Sequence, residues 1–302
     1  MTHADTPILP FTGERFTPEC VREIWYEHMH RYAFAAGFAA GKRVLDAACG
    51  EGYGSALLAR VGASVLGVDI AEDSVAHARQ RYAGVERLSF AHGDATLLDQ
   101  YADASFDLIT SFETLEHVLE QERMVAGFRR LLAPGGLLLI SSPDKRTYSD
   151  LRNYHNEFHL RELYRDQLES LLAAHFPATR LYAQKLLFQS LLWDPDRAPT
   201  VASATTLHDD VSMTRRLDYT ALYFLAVCAE RESDLPPAGS LHLFGDASES
   251  VYRHYDEEIR RHIAAGHRLI ALEREIDELR VRLARAETLL AEHAPDQGRN
   301  HP

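Results

Sequence analysis

Three aspartates in this chain stand at or just past the ends of short apolar runs, each followed by small or turn-forming residues. Asp46 closes Val44-Leu45 and opens VLDAACGEGYG, Asp69 closes Val65-Leu66-Gly67-Val68, and Asp94 follows Leu88–His92 in the string HGDA. After Asp46, glycines alternate at Gly50, Gly52 and Gly54, and SALLARVGA follows at helical spacing. Glycine is required where the backbone takes a positive φ or must approach a ligand closely. A helix start after such a turn offers N–H groups to whatever lies over it. An acid at the tip of the second strand, about 20 residues on, is placed to accept hydrogen bonds from ribose hydroxyls. This spacing predicts a nucleoside-bearing cofactor. It fits a dinucleotide poorly, because the third glycine of G-x-G-x-x-G, counted from Gly50, falls on Ser55. Asp46 also suits a ligand with a positive amine better than one with a pyrophosphate.

A second group could do acid–base or metal chemistry. In Glu113-x-x-Glu116-His117, two carboxylates and an imidazole would share one face of a helix and could hold Mg²⁺ or Mn²⁺. His155 and His159 lie in a polar segment, 143–165, that also holds Arg146, Arg152, Arg161 and Arg165.

These residues need a frame. Strand-like runs alternate with helical ones: Ile24–Ala39 (helix), Val44–Asp46, Val65–Val68, Asp73–Tyr82 (helix), Leu88–His92, Ser105–Phe112, Glu113–Leu132 (amphipathic helix), a turn at Pro134-Gly135-Gly136, Leu137–Ser142, and Asp166–His175 (helix). Such a βαβ series predicts a doubly wound α/β fold, a mostly parallel sheet with helices on both faces. Ligands then lie at the carboxyl ends of the strands. Asp46, Asp69, Asp94, Ser111-Phe112 and Ser142 all fall there. Leu181–Phe188 and Tyr219–Ala229 read as an antiparallel pair, with an insert at 189–217 that would wall the substrate side.

Five segments are expected: an arm and lid helix (1–41), a catalytic domain (42–230), a linker (231–250), a long helix (251–293) and a loose tail (294–302). FTGERFTPE reads as an ordered arm. The lid helix would bring Arg31 or Tyr26 to the cofactor. Asp246-Ala247-Ser248-Glu249 reads as a capping box. In the long helix Leu269, Leu272, Ile276, Leu279, Leu283, Ala286 and Leu290 recur at gaps of three and four. This heptad seam predicts a coiled coil and self-association; the alternative is an amphipathic helix packed on its own domain.

The 302 residues are 46% hydrophobic and 25% charged, as in an ordinary globular protein. A net charge of -13 argues against a DNA- or RNA-coating surface. Cys20, Cys49 and Cys228 show no metal or redox spacing, which fits a reducing cytoplasm. There is no apolar run long enough for a membrane span, which leaves peripheral association open.

With these pieces placed, the chain resembles class I S-adenosylmethionine (SAM)-dependent methyltransferases through VLDAACGEGYG, GVDI, HGDA, FDLITSFETLEHV and LLAPGGLLLISSP. The resemblance covers about residues 42 to 145, is extended by the strand pair to about 229, and implies a seven-stranded Rossmann-like sheet. Ala48 departs from it, standing where the commonest loop has glycine. GERFTPE, EHMHRYAFA, SFETLEHV and NEFHLREL further resemble a bacterial subfamily associated with surface-polysaccharide and glycan assembly. The resemblance implies that Asp46, Ala48, Gly50 and Gly52 surround the methionine part of SAM and that Asp69 holds the ribose hydroxyls. Ile70 would lie on the adenine, Asp94 would accept from its amino group with Ala95 donating, and Ser111 and Phe112 would line the path to the methyl group. The expected reaction is O-methylation of a sugar hydroxyl, with His159 as base, His155 as its alternative, and His117 as the second catalytic candidate through the carboxylate–histidine group. The Glu113, Glu116, His117 set is similar to the metal site of ubiquinone-pathway O-methyltransferases and of small-RNA 2′-O-methyltransferases, with His159 completing it. Alternatives are a small-metabolite or RNA-end methyltransferase, a nicotinamide-dependent oxidoreductase, and a SAM-binding scaffold that dimerises through its tail.

Overall fold

The computed structural model describes Thr17 and residues 23–197, 203–209 and 211–292. Most of the expected arm, Cys20, part of the insert and the tail at 294–302 lie outside the described residues. The chain divides into two units, one running to Gly245 and one beginning at Asp246.

In the first unit, helix α1 (Glu23–Ala39) precedes strands β1 (Arg43–Ala47), β2 (Ser64–Asp69), β3 (Leu88–His92), β4 (Phe106–Ser111) and β5 (Leu132–Pro143). Helices α2 (Tyr53–Leu58), α3 (Glu72–Arg81) and α4 (Gln121–Leu131) fill the connections. Then come α5 (Arg165–Ala173), β6 (Ala178–Gln184), a two-stranded hairpin of β7 (Thr206–Leu207) and β8 (Met213–Thr214), and β9 (Tyr223–Ala229). The seven-stranded sheet runs β3-β2-β1-β4-β5-β9-β6. The first five strands are parallel, and β9 is antiparallel to both β5 and β6.

Continuous apolar runs form the central strands because both faces are covered. Side chains alternate between two cores. Leu45, Ile109, Leu138, Ile140 and Cys228 pack with Met124, Val125 and Phe128 of α4 and Leu168 and Leu172 of α5. Val44, Val65, Leu108, Leu139 and Val227 pack with Tyr32, Ala35 and Ala39 of α1 and Leu58 of α2. Burial of such aliphatic side chains stabilises by about 1.5–3 kcal/mol each, so sheet and helices specify each other.

Three expectations change. The helix predicted across Glu113–Leu132 is broken. Glu113 has a positive φ of 51°, Leu115–His117 is a single 3₁₀ turn, and α4 begins only at Gln121. The turn predicted at 134–136 is an irregularity inside a twelve-residue β5, which pairs Leu132 with Phe106 and resumes at Leu137 with Leu108. Part of the expected linker is packed: Leu235 is buried, and the Phe244 ring lies 5.5 Å from those of both Tyr26 and His30.

The second unit holds α6 (Ser250–Glu292), 43 residues long. Asp246 accepts from the Ser250 N–H at 3.1 Å, capping the helix at a position close to the predicted one. The seam residues Leu269, Leu272, Ile276, Leu279, Leu283 and Leu290 are 45–73% exposed. No helix among the described residues is long and apolar enough to cross a membrane.

Helix α1 is seated directly on the glycine loop. A Cβ added at Gly54 would stand 2.0 Å from Tyr32 Cζ. Gly54→Ala must displace a ring buried in the core, and overpacking of this kind costs about 1–3 kcal/mol. Urea denaturation should show that loss.

Candidate functional site

The loop after β1 is built around Asp46. Its carboxylate is fully buried and accepts three hydroxyls: Ser55 Oγ to Oδ2 at 2.6 Å, Thr110 Oγ1 to Oδ1 at 2.7 Å, and Tyr32 Oη to Oδ1 at 3.1 Å. These come from α2, β4 and α1. Burial pushes its pKa up to about 6, against the opposing effect of the three hydroxyls. Its oxygens point into a clamp of hydroxyls that fixes the loop. Ala48, the non-glycine position, has φ 60°, so this turn requires the left-handed region there. Gly50 has φ 54°, and a Cβ on it would meet nothing within 4 Å, so open space lies beside the loop. Gly52, at φ 91°, has no such room; a Cβ would stand 2.7 Å from the Phe90 ring. Glu51, also fully buried, ties the same loop to α3 through Arg81 at 2.8 Å and His77 at 3.1 Å.

Asp69 stands at the tip of β2. Its Oδ2 accepts from the Gly50 N–H at 2.8 Å and its Oδ1 from the Ala71 N–H at 2.9 Å. Each carboxylate oxygen has a further lone pair, and two hydroxyls from a ribose can be accepted there. Ile70, beside it, is 66% exposed, an apolar surface at a strand end that a flat base can cover. Asp94 Oδ1 takes the Thr96 N–H and hydroxyl, both at 2.8 Å; Oδ2 has no partner among the described residues. Ala95 is buried next to it. Ser111 is fully buried with a hydroxyl that has no hydrogen-bond partner among the described residues, and the Phe112 ring meets Tyr32 edge-on at 5.0 Å.

Arg31 belongs to the other side of the cleft. It is fully buried; Nε donates to Gln184 Oε1 at 2.8 Å, Nη2 lies 3.3 Å from Glu113 Oε1, and the guanidinium sits 4.6 Å over the Tyr223 ring. Burial opposes its charge, and Glu113, Tyr223 and Glu27 more than restore it. Burial pushes Glu27 up to about 7 despite Arg31. Tyr26, the other lid candidate, packs on Trp25 and Phe244.

The carboxylate–histidine group is assembled differently from the helical reading. Glu113 turns away to Arg31 and to Ser141, whose hydroxyl donates to it at 2.7 Å. Glu113 therefore leaves the predicted metal set. Glu116, His117 and His159 remain together, with ligand atoms within 4.8 Å of one another. The segment after β5 docks on the 3₁₀ turn through Leu160 and Arg161 N–H groups, which donate to the Glu116 carbonyl at 2.8 and 3.0 Å. His117 Nδ1 faces the Phe158 carbonyl at 3.0 Å. His117 and His159 meet edge-on at 4.9 Å. Glu116 is buried, Oε2 has no hydrogen-bond partner among the described residues, and burial followed by the nearby Glu113 raises its pKa well above the carboxylate range.

His159 makes the shortest contact of this group, Nδ1 to Glu162 Oε1 at 2.6 Å. Asn156 accepts from the Phe158 N–H through Oδ1, which turns its amide nitrogen to His159 Nε2 at 2.9 Å. The network thus assigns the proton to Nδ1 and a lone pair to Nε2. Tyr148 stacks on the imidazole at 5.3 Å. His155, the alternative base, is exposed.

A family model described as "Methyltransferase domain" matches residues 38–189, about half of the chain. The chain belongs to this methyltransferase-domain family. A Mycolicibacterium smegmatis protein described as a probable S-adenosylmethionine-dependent methyltransferase is 41% identical over 167 residues, 54% of this chain and 63% of that protein. One from Mycobacterium tuberculosis with the same description is 39% identical over 56% of this chain and 61% of its own length. A ubiquinone biosynthesis O-methyltransferase from Paracidovorax citrulli is 38% identical over 34% of this chain and 44% of that protein. The chain thus spans less than two thirds of these curated relatives. It carries a methyltransferase domain.

The residues that sequence reasoning missed are the partners: Tyr32, Ser55 and Thr110 around Asp46, Glu51 with α3, and Glu162 and Asn156 around His159. A hydroxyl at each of three separate elements carries no local signal. The His159-x-x-Glu162 spacing was visible, but its meaning depends on a non-helical segment.

Asp46 makes folding pH-dependent. Its native pKa of about 6 exceeds the unfolded value, so the native state binds the proton more tightly. This contribution favours folding below the unfolded pKa and is lost as pH rises through about 6. Asp46→Asn removes that titration. Relative to wild type, the variant should gain about 2–3 kcal/mol between pH 4 and pH 7, read from denaturant midpoints across that range.

Proposed function

We propose that this protein is an O-methyltransferase that moves the SAM methyl group to a sugar hydroxyl of a glycan or glycolipid precursor, with His159 as general base. The observation that carries this reading is the His159–Glu162 contact of 2.6 Å beside the carboxyl end of β5. When bound, SAM supplies an activated methyl group on a sulfonium, with a neutral thioether as leaving group. The residues present fit it: open space beside Gly50, Asp69 with acceptor capacity, Asp94 Oδ2 unpartnered, and the Ser111 hydroxyl buried without a partner. The chain's task is then alignment and proton removal.

A sugar hydroxyl is a poor nucleophile and gains from a base. His159 Nε2 carries the lone pair, and the acceptor hydroxyl competes for it with the Asn156 amide. As the C–O bond forms and the C–S bond breaks, the hydroxyl proton passes to Nε2. Glu162 holds the Nδ1–H and stabilises the imidazolium. Tyr148 and Tyr154 stand edge-to-face with rings 5.9 Å apart and Arg152 over both, an aromatic surface against which a pyranose ring can pack. The ubiquinone-pathway relative supports oxygen as the methylated atom, and the glycan-associated motifs support the sugar.

A second reading is a divalent cation, Mg²⁺ or Mn²⁺, held by Glu116, His117 and His159 without Glu113. The unpartnered buried Glu116 Oε2 favours it, because a buried carboxylate of that kind is costly without a cation or a proton. The exposed seam of α6 supports self-association into a coiled coil.

Three outcomes are expected. In turnover assays against lipid-linked glycans and nucleotide sugars, His159→Ala should lower kcat by about 10²–10⁴, with SAM affinity by calorimetry unchanged. Exhaustive EDTA treatment separates the two readings: activity that persists leaves the dyad alone in charge, and activity restored by added Mn²⁺ establishes the cation. Ile276→Lys with Leu279→Lys should convert an oligomer to monomer in analytical ultracentrifugation.

A further inference from the structure

A cavity of about 320 Å³ lies between α1, β6 and the segment 239–242. It is separate from the loops after β1, β2 and β3. Among the described residues its wall carries two arginines, Arg31 and Arg180, and two histidines, His30 and His242, and no carboxylate. That is an unusual placement in a chain with 45 acidic residues against 32 lysines and arginines. Acids stand close by without lining the cavity, Glu27 beside Arg31 among them. Glu232 pairs with Arg180, and Glu113 lies 3.3 Å from Arg31 Nη2. Donors are left over. Arg31 Nη1 and the Tyr182 hydroxyl are buried with no hydrogen-bond partner among the described residues. Burial, then the positive charge of His242 and Arg31, holds the His30 imidazole below its usual pKa. Phe34 and Tyr182 both contact the His242 ring, at 4.5 and 5.8 Å, and give the cavity an aromatic side.

We propose that this cavity is a binding site for a small organic anion, its oxyanion taken by the Arg31 and Tyr182 donors and its apolar body laid against Phe34. Unpartnered buried donors are costly to leave unmet, and an oxyanion is the kind of group that satisfies them. Apolar walls with a few convergent polar groups are the usual make-up of small-ligand sites, and the volume falls in their range. The anion could be part of the methyl acceptor or a separate effector. Arg31 links the two regions, since it contacts both the cavity and Glu113.

The test uses the full chain and calorimetric titration with octyl phosphate, octanoate and, as the uncharged control, octanol. The expected result is one-to-one binding of octyl phosphate or octanoate, about tenfold or more tighter than octanol. Tyr182→Phe should weaken it about tenfold, and Ser240→Trp, which fills the cavity, should abolish it. Circular dichroism and SAM affinity should stay at wild-type values in Tyr182→Phe. Binding no tighter than octanol, or unaltered by both substitutions, overturns the proposal; if Ser240→Trp does not fold, Tyr182→Phe decides alone. These readouts need no turnover, so they stand or fall independently of the O-methyl transfer reading. With an acceptor in hand, competition between it and octyl phosphate marks the cavity as the acceptor's anionic anchor, and a rate change without competition marks an effector site.

Discussion

The clamp on Asp46 is the interaction on which the rest of the first unit depends. A fully buried carboxylate is costly in an apolar interior, and here three hydroxyls offset that cost. They come from α1, α2 and β4, so the charge can be accommodated only when all three elements are in place. The loop between them must then take left-handed turns at Ala48, Gly50 and Gly52. Those turns present the Gly50 N–H to Asp69. One buried charge thus sets the relation between the first two strand tips.

The cleft has two sides with different physics. On the β1–β2–β3 side, acids at strand ends hold backbone N–H groups and keep spare lone pairs for a neutral or positive ligand. On the β4–β5 side, the contacts are between side chains and are largely buried: Arg31 with Glu113 and Gln184, Ser141 with Glu113, His159 with Glu162. Low dielectric strengthens such pairs and makes leftover groups costly. Among the described residues, atoms of Glu116, Ser111, Arg31 and Tyr182 are left in that position.

The break in the predicted helix after β4 illustrates how that second side is made. Glu113-x-x-Glu116-His117 has helical spacing, and in isolation a helix is the economical reading. In the fold, the Glu113 N–H donates to Ser141 Oγ at 3.0 Å and the Ser141 hydroxyl donates back to the carboxylate. This exchange holds residue 113 at a positive φ and frees the following turn to receive the segment after β5. Gln121 then closes the joint, donating to the Leu115 and Arg161 carbonyls at 2.7 and 2.8 Å.

The sheet, the glycine loop and the strand-end acids were legible in the linear chain because their causes are local: apolar runs long enough to be covered on both faces, glycines where φ must be positive, acids at strand ends. The periodic seam of α6 was legible for the same reason, and its apolar stripe is there in the folded helix. Side-chain partnership was not legible. Whether Glu113 faces a cation or Arg31, whether Asp46 faces a ligand or three hydroxyls, and which acid orients His159 are choices between groups of equal local propensity. Burial decides between them, since a charge removed from water must find its counterpart wherever the chain has brought one. Sequence therefore determined which residues stand at the mouth of the sheet, and tertiary packing decided what each of them can still bind.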